Sequence, residues 1–239
     1  MDSTLVEHLE ALRKALLRCF FATLIAFPIA YFLTPYIIEF LVEHTLPPAL
    51  SNLHYFTPME VFWTELKLAF IFSLVIAYPW NAWQIWRFLL PGLYPNEQKV
   101  LGFSIILASL LFFAGVLFCV WFILPLMMAF SGSFGNMQIQ PTIGLANFLN
   151  LAGWLSLAFG TMFQTPIIVL IAVKVGLIST ETLKKKRPYV LIAILVLAAL
   201  LTPPDVTSQI ALAVPTYALF EIGLFLAARI EKKNIPRNS

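Results

Sequence analysis

Six apolar runs, each nearly free of charge and each closed by a polar or proline-containing break, divide the chain. These runs constrain the fold more than any other feature. A segment in hydrocarbon must satisfy every backbone N–H and C=O internally, which a single unclosed segment does only as a helix. The runs fall at about residues 16–34, 66–89, 101–130, 148–173, 188–201 and 210–228. Only 11% of residues are charged, against about a quarter in soluble domains. The expectation is an all-α polytopic membrane protein, with one six-helix membrane domain over residues 1–239. The N-terminus opens on polar residues with no A-x-A-like site after the first run, so no cleavable signal is expected.

Six spans return both termini to one side. Arg13, Lys14, Arg18, Arg87, Lys99, Lys174, Lys184, Lys185, Lys186, Arg187, Arg229, Lys232, Lys233 and Arg237 fall on that side, and only Lys67 falls on the other. Cytoplasmic loops carry the excess of Lys and Arg. Both termini are therefore expected in the cytoplasm.

Leu5, Leu9, Leu12 and Leu16 recur at helical spacing and predict a surface helix over residues 1–14. The first span then carries a kink at Pro28 and a stop at Pro35. Ile37, Ile38, Phe40 and Leu41, set against Glu39 and Glu43, predict a second surface helix ended by Pro47-Pro48. Trp80, Trp83 and Trp86 form an interfacial belt near the end of span two. Span three, about 45 Å as a helix, must tilt, protrude, or kink at Gly115 or Pro125. Span five is only about 21 Å long, and spans five and six both read as shorter than a bilayer, which implies local thinning. Cys19 and Cys119 lie inside apolar runs and read as small buried hydrophobes.

The stretch over residues 84–97, QIWRFLLPGLYPNE, ends the tryptophan belt, turns through Pro91-Gly92 and delivers Glu97 to the cation-rich side. Acids are few there, and Glu10 and Glu97 both sit close to the membrane. Each has two readings. Glu97 complements the dipole of a helix capped by Asn96, or it is a ligand carboxylate. Glu10 pairs with Lys14 at i,i+4, or it is the second ligand.

Gln84-Ile85-Trp86-Arg87-Phe88-Leu89-Leu90-Pro91-Gly92-Leu93-Tyr94-Pro95-Asn96-Glu97 resembles the Q-x-W-x-F-x-x-P-G-L-Y-x-x-E signature of the TatC family, the receptor subunit of the twin-arginine protein translocase. Further motifs resemble the family's in order. They are His8-Leu9 with Leu12-Arg13; Pro58, Glu60 and Lys67; Gly115, Phe118 and Pro125; Phe159-Gly160, Phe163 and Pro166; Lys186-Arg187-Pro188-Tyr189; Thr202-Pro203-Pro204-Asp205 with Ser208-Gln209; and Pro215 with Phe220-Glu221. The chain departs from the pattern twice. The acid of H-L-x-E-L-R stands one position early, at Glu10, with Ala11 in its usual place, a turn of about 100° on a helix. In the F-E-x-P motif of span four, Gln164 replaces the acid.

The resemblance implies a non-enzymatic receptor that binds N-terminal twin-arginine signal peptides on folded cargo at its cytoplasmic face. It implies Glu97, Glu10, Arg13 and Phe88 as the peptide site. It also implies Gln164, Asp205, Gln209, Glu60 and Lys67 as residues of partner docking or transport. The implied partners are small single-span subunits of TatA and TatB type, with further copies of the chain itself; no nucleic acid, cofactor or metal is implied. The chemistry fits, because a guanidinium fork binds carboxylate bidentately and lysine does not copy that geometry. Gln164 reads either as an interhelical hydrogen bond or as a partner contact. Asp205 reads either as a helix cap or as part of a functional TPPD turn, and Glu221 as an internally paired or snorkelling acid.

Two other classes fit a polytopic chain less well. An intramembrane protease needs a serine with a histidine, or two aspartates, within the spans. His8, His44 and His54 lie outside the spans, and the only aspartates are Asp2 and Asp205. A six-span secondary transporter of a small solute is the alternative, but no inverted repeat or pair of matched broken helices is visible.

Overall fold

The computed structural model describes residues 2–47, 53–55, 57–89, 98–132, 143–174, 176–201 and 206–234. Six spans are built from nine α-helices among these residues: α1 (Asp2–Thr45), α2 (Pro58–Leu89), α3 (Gln98–Phe118), α4 (Leu124–Gly132), α5 (Leu145–Met162), α6 (Thr165–Lys174), α7 (Thr180–Lys185), α8 (Arg187–Leu201) and α9 (Val206–Asn234). Five spans are long and apolar enough to cross a membrane, and Arg187–Leu201 is a shorter apolar helix.

The first span departs most from expectation. The two expected surface helices and the span between them are one 44-residue helix, about 66 Å long, that passes through Pro28 and Pro35. Ending a helix in hydrocarbon would strand up to four carbonyls, whereas an interior proline removes one hydrogen bond. Both proline rings face outward, where there is room for them. The apolar side of residues 37–43 does not lie on the lipid surface either. Leu41 is only 2% exposed and packs into the core, and His44 is sandwiched by Phe40 and Trp121. Span two likewise starts earlier than expected. Thr57 caps it, its hydroxyl accepting the Glu60 N–H at 3.3 Å.

Span three bends through a π-helical turn, Cys119–Ile123, in which the Leu124 N–H reaches back to the Cys119 carbonyl. This wide turn ends two residues before Pro125 and gives its ring the space an α-turn lacks. Gly115 has a different task, bringing α3 against the backbone of α5 at Phe159.

Span four is broken at Phe163-Gln164. Pro166 cannot donate to Met162, and the Thr165 hydroxyl bonds that carbonyl instead, at 2.6 Å. The Gly160 carbonyl, left free by the turn, accepts from the Gln164 amide at 3.4 Å. Side chains thus repair the backbone, as lipid burial requires.

Span five is short, as expected, and turns most of its surface outward, with Ile194 and Ala198 buried. Span six is not short. Helix α9 has 29 residues, of which a 22-residue apolar stretch suffices to cross a membrane. Any thinning of the bilayer therefore belongs to α8 alone.

The core centres on α5, where Phe148, Leu149, Leu155 and Phe159 are essentially inaccessible. Helix α5 packs on α2 and α3, α1 packs on α2, and α9 packs on α6 and α8. Tyr78 and Phe112 stack between α2 and α3. On the side away from the termini, β1 (Leu53–His54) and β2 (Ile143–Gly144) pair in parallel. This two-residue ladder joins two outer connections in an otherwise helical chain. Cys119 is buried, whereas Cys19 is only half-buried, between α1 and α2.

Candidate functional site

At the end of the molecule that carries the N-terminus, the opening turns of α1 meet the last turn of α2. Ala11, Lys14, Ala15 and Arg18 face Gln84, Arg87 and Phe88 across a notch of about 190 Å³. Of the expected peptide-binding residues, Phe88 lines this notch. Glu10 does not. One position before Ala11, it points along the outside of the helix and pairs with Lys14 at 2.7 Å, both groups more than half exposed. The hydrogen bond and charge of Lys14, helped by Arg13, hold the Glu10 carboxyl below its usual range, so it stays ionised. Arg13 is exposed on the same turns. Glu97 lies outside the described residues, as does Asp205.

Gln164 is 8% exposed. Its amide nitrogen donates to the Ala108 carbonyl on α3 at 3.0 Å, so the expected interhelical hydrogen bond exists. Its carbonyl oxygen is buried without a partner. An amide can accept as well as donate, and a buried unsatisfied oxygen costs about 1–3 kcal/mol. Gln209 donates to the Leu195 carbonyl at 3.1 Å and ties α9 to α8. Glu60 opens α2, and Lys67 is exposed further along it. The structure does not bring these residues to the notch.

Glu221 is paired internally. Arg187 donates to one of its oxygens at 2.6 Å and Tyr217 to the other at 3.1 Å, locking α8 to α9. Sequence reasoning missed two features. Glu231 accepts from both the N–H and the hydroxyl of Thr180, which fastens the start of α7 to the end of α9. Asn81, an amide within an apolar run, donates to Thr23 across the α1–α2 seam at 3.4 Å, and its oxygen has no partner. Its polarity among apolar neighbours was the available signal. Among the described residues, no group of His, Cys, Asp and Glu is arranged to hold a metal ion.

Comparison with known proteins agrees with this architecture. The family model for the Sec-independent protein translocase protein TatC matches residues 7–215. The protein of that name from Carboxydothermus hydrogenoformans is 36% identical over 96% of this chain and 95% of its own length. That from Escherichia coli K12 is 37% identical over 93% and 87%. A crystal structure of the twin-arginine translocase receptor TatC in DDM superposes with a TM-score of 0.83 at 32% identity, covering 92% of this chain and 99% of that one.

Proposed function

The chain belongs to the TatC family of Sec-independent protein translocase proteins, and from that premise we propose that it is the twin-arginine signal-peptide receptor of its translocase, acting without catalysis. The likeness to the receptor's crystal structure over nearly the whole chain carries the reading. It also displaces the solute-carrier alternative. The termini lie in the cytoplasm and the chain spans the inner membrane, in keeping with the cation distribution.

In this reading, Glu97 and Glu10 receive the two arginines, with Arg13 and Phe88 beside them. Glu10 is already ionised, and its pair with Lys14 is exposed, so solvent screens it and it contributes little. A peptide guanidinium therefore displaces Lys14 cheaply and gains a bidentate contact. A synthetic twin-arginine peptide should bind the purified protein and lose most of its affinity when both arginines become lysine. Equal binding of the lysine peptide would end the reading.

Partner subunits of TatA and TatB type, and further copies of the chain, are assigned to the polar positions away from the notch, namely Gln164, Gln209, Asp205, Glu60 and Lys67. Gln164 has the clearest physical motive, because its buried oxygen lacks a donor. Gln164→Leu removes both functions of the amide. The interhelical bond is worth about 0.6 kcal/mol on average, so the variant should accumulate normally while crosslinking from this region to single-span partners falls sharply. Undiminished crosslinking would make Gln164 purely structural.

A further inference from the structure

We propose that the notch between α1 and α2 binds the phosphate of an anionic phospholipid. Lys14 and Arg18 from one helix and Arg87 from the other converge on it, and among the described residues no carboxylate lines it. Lys14 is engaged by Glu10. Arg18 and Arg87 make no ion pair among the described residues. Gln84, 6% exposed, lines the same notch, and its amide makes no side-chain hydrogen bond among the described residues. Two guanidinium forks and an amide donor converging on a space of about 190 Å³, roughly six waters at ~30 Å³ each, suit a phosphate diester with part of its glycerol.

The depth of the notch selects the source of that phosphate. Immediately after Arg18, α1 presents Phe20, Phe21 and Leu24 outward, each more than half exposed. One turn before Arg87, α2 presents Trp83 outward, a residue type that settles at headgroup level. The cations therefore sit where spanning surface begins. A lipid whose phosphate occupies the notch lays its chains on that apolar surface, whereas a dissolved anion gains nothing from it. Juxtamembrane cations of this kind each contribute about 1 kcal/mol toward anionic lipid. The site is built from Arg18, Arg87 and Gln84, and its test uses neither Glu97 nor Glu10.

The test is native mass spectrometry of the full-length protein in neutral detergent, titrated with phosphatidylglycerol or phosphatidylcholine. Phosphatidylglycerol should be retained in preference. The double variant Arg18→Gln/Arg87→Gln should lower its retention about thirtyfold, the product of two such contacts. Lys184→Gln, an exposed cation on the same side but on α7, should not change it. Arg18→Lys/Arg87→Lys keeps the charge and removes the forks, so it should fall between, and it serves where the glutamine variant does not fold. Three results would each overturn the assignment. These are equal retention of the two lipids, equal losses in the Lys184 and Arg18/Arg87 variants, and release of phosphatidylglycerol by millimolar inorganic phosphate.

Discussion

Glu97→Ala should abolish crosslinking of a twin-arginine peptide to the protein while leaving membrane insertion and abundance unchanged. In the proposed receptor reading Glu97 is one of only two carboxylates offered to the arginines, on a side of the membrane dominated by cations. Truncating one partner of a desolvated carboxylate–guanidinium pair costs about 2–5 kcal/mol, or about thirtyfold to several-thousandfold in affinity. Glu10→Ala should cost less. Its carboxylate is exposed and already shared with Lys14, so an arriving arginine exchanges one partner for another. Site-specific photocrosslinking of a radiolabelled signal peptide to inverted membrane vesicles measures both. Undiminished crosslinking in Glu97→Ala would remove Glu97 from the site and leave the receptor reading without its principal acid.

Gly115→Ala should destabilise the fold more than any other single methyl group at a described glycine. An added Cβ would lie 2.6 Å from the Phe159 carbonyl oxygen and 2.9 Å from the Phe163 ring. The carbonyl belongs to the most buried helix of the molecule and cannot swing aside as a flexible side chain does. Overpacking of this kind costs about 1–3 kcal/mol and sometimes more. That loss exceeds the gain of up to about 1 kcal/mol from replacing glycine by alanine in a helix. The thermal unfolding midpoint in detergent should fall accordingly. Ala114→Val, on the exposed side of the same turn, should leave the midpoint nearly unchanged, within about 0.5 kcal/mol. An unshifted midpoint for Gly115→Ala would mean that α3 and α5 meet with slack at this level.

The number and order of the spans were legible because hydropathy reports the solvent directly, and lipid admits only helices there. Breaks within helices were legible only in part, because a proline has several outcomes. At Pro28 and Pro35 the helix continues, with the rings facing outward. At Pro125 it widens by one residue, and before Pro166 it stops. In span four neighbouring side chains, Thr165 and Gln164, take over the carbonyls that the break leaves free. That is a property of packing, which periodicity does not encode. The expected second surface helix failed for a related reason. Its apolar face at Ile37, Ile38 and Leu41 was real, but the core covers it rather than lipid. At the site, residue type was legible and direction was not. Glu10 was identified as a candidate, yet one position on a helix decides whether a side chain enters the notch or leaves it. Of the two readings of Glu221, snorkelling or internal pairing, the structure shows the pairing, with Arg187, 34 residues away in the chain.

The interruption of span four also marks where two groups of helices join. Helices α1 to α5 pack mainly within one group and α6 to α9 mainly within the other, with lighter contact of α6 on α3 and of α8 on α5. One buried core runs through both, joining Leu155 and Phe159 to Ile194, Ala198 and Leu212. The bond from Gln164 to Ala108 ties the interruption to α3, so a donor that reaches the vacant oxygen of Gln164 acts at the seam of the two groups.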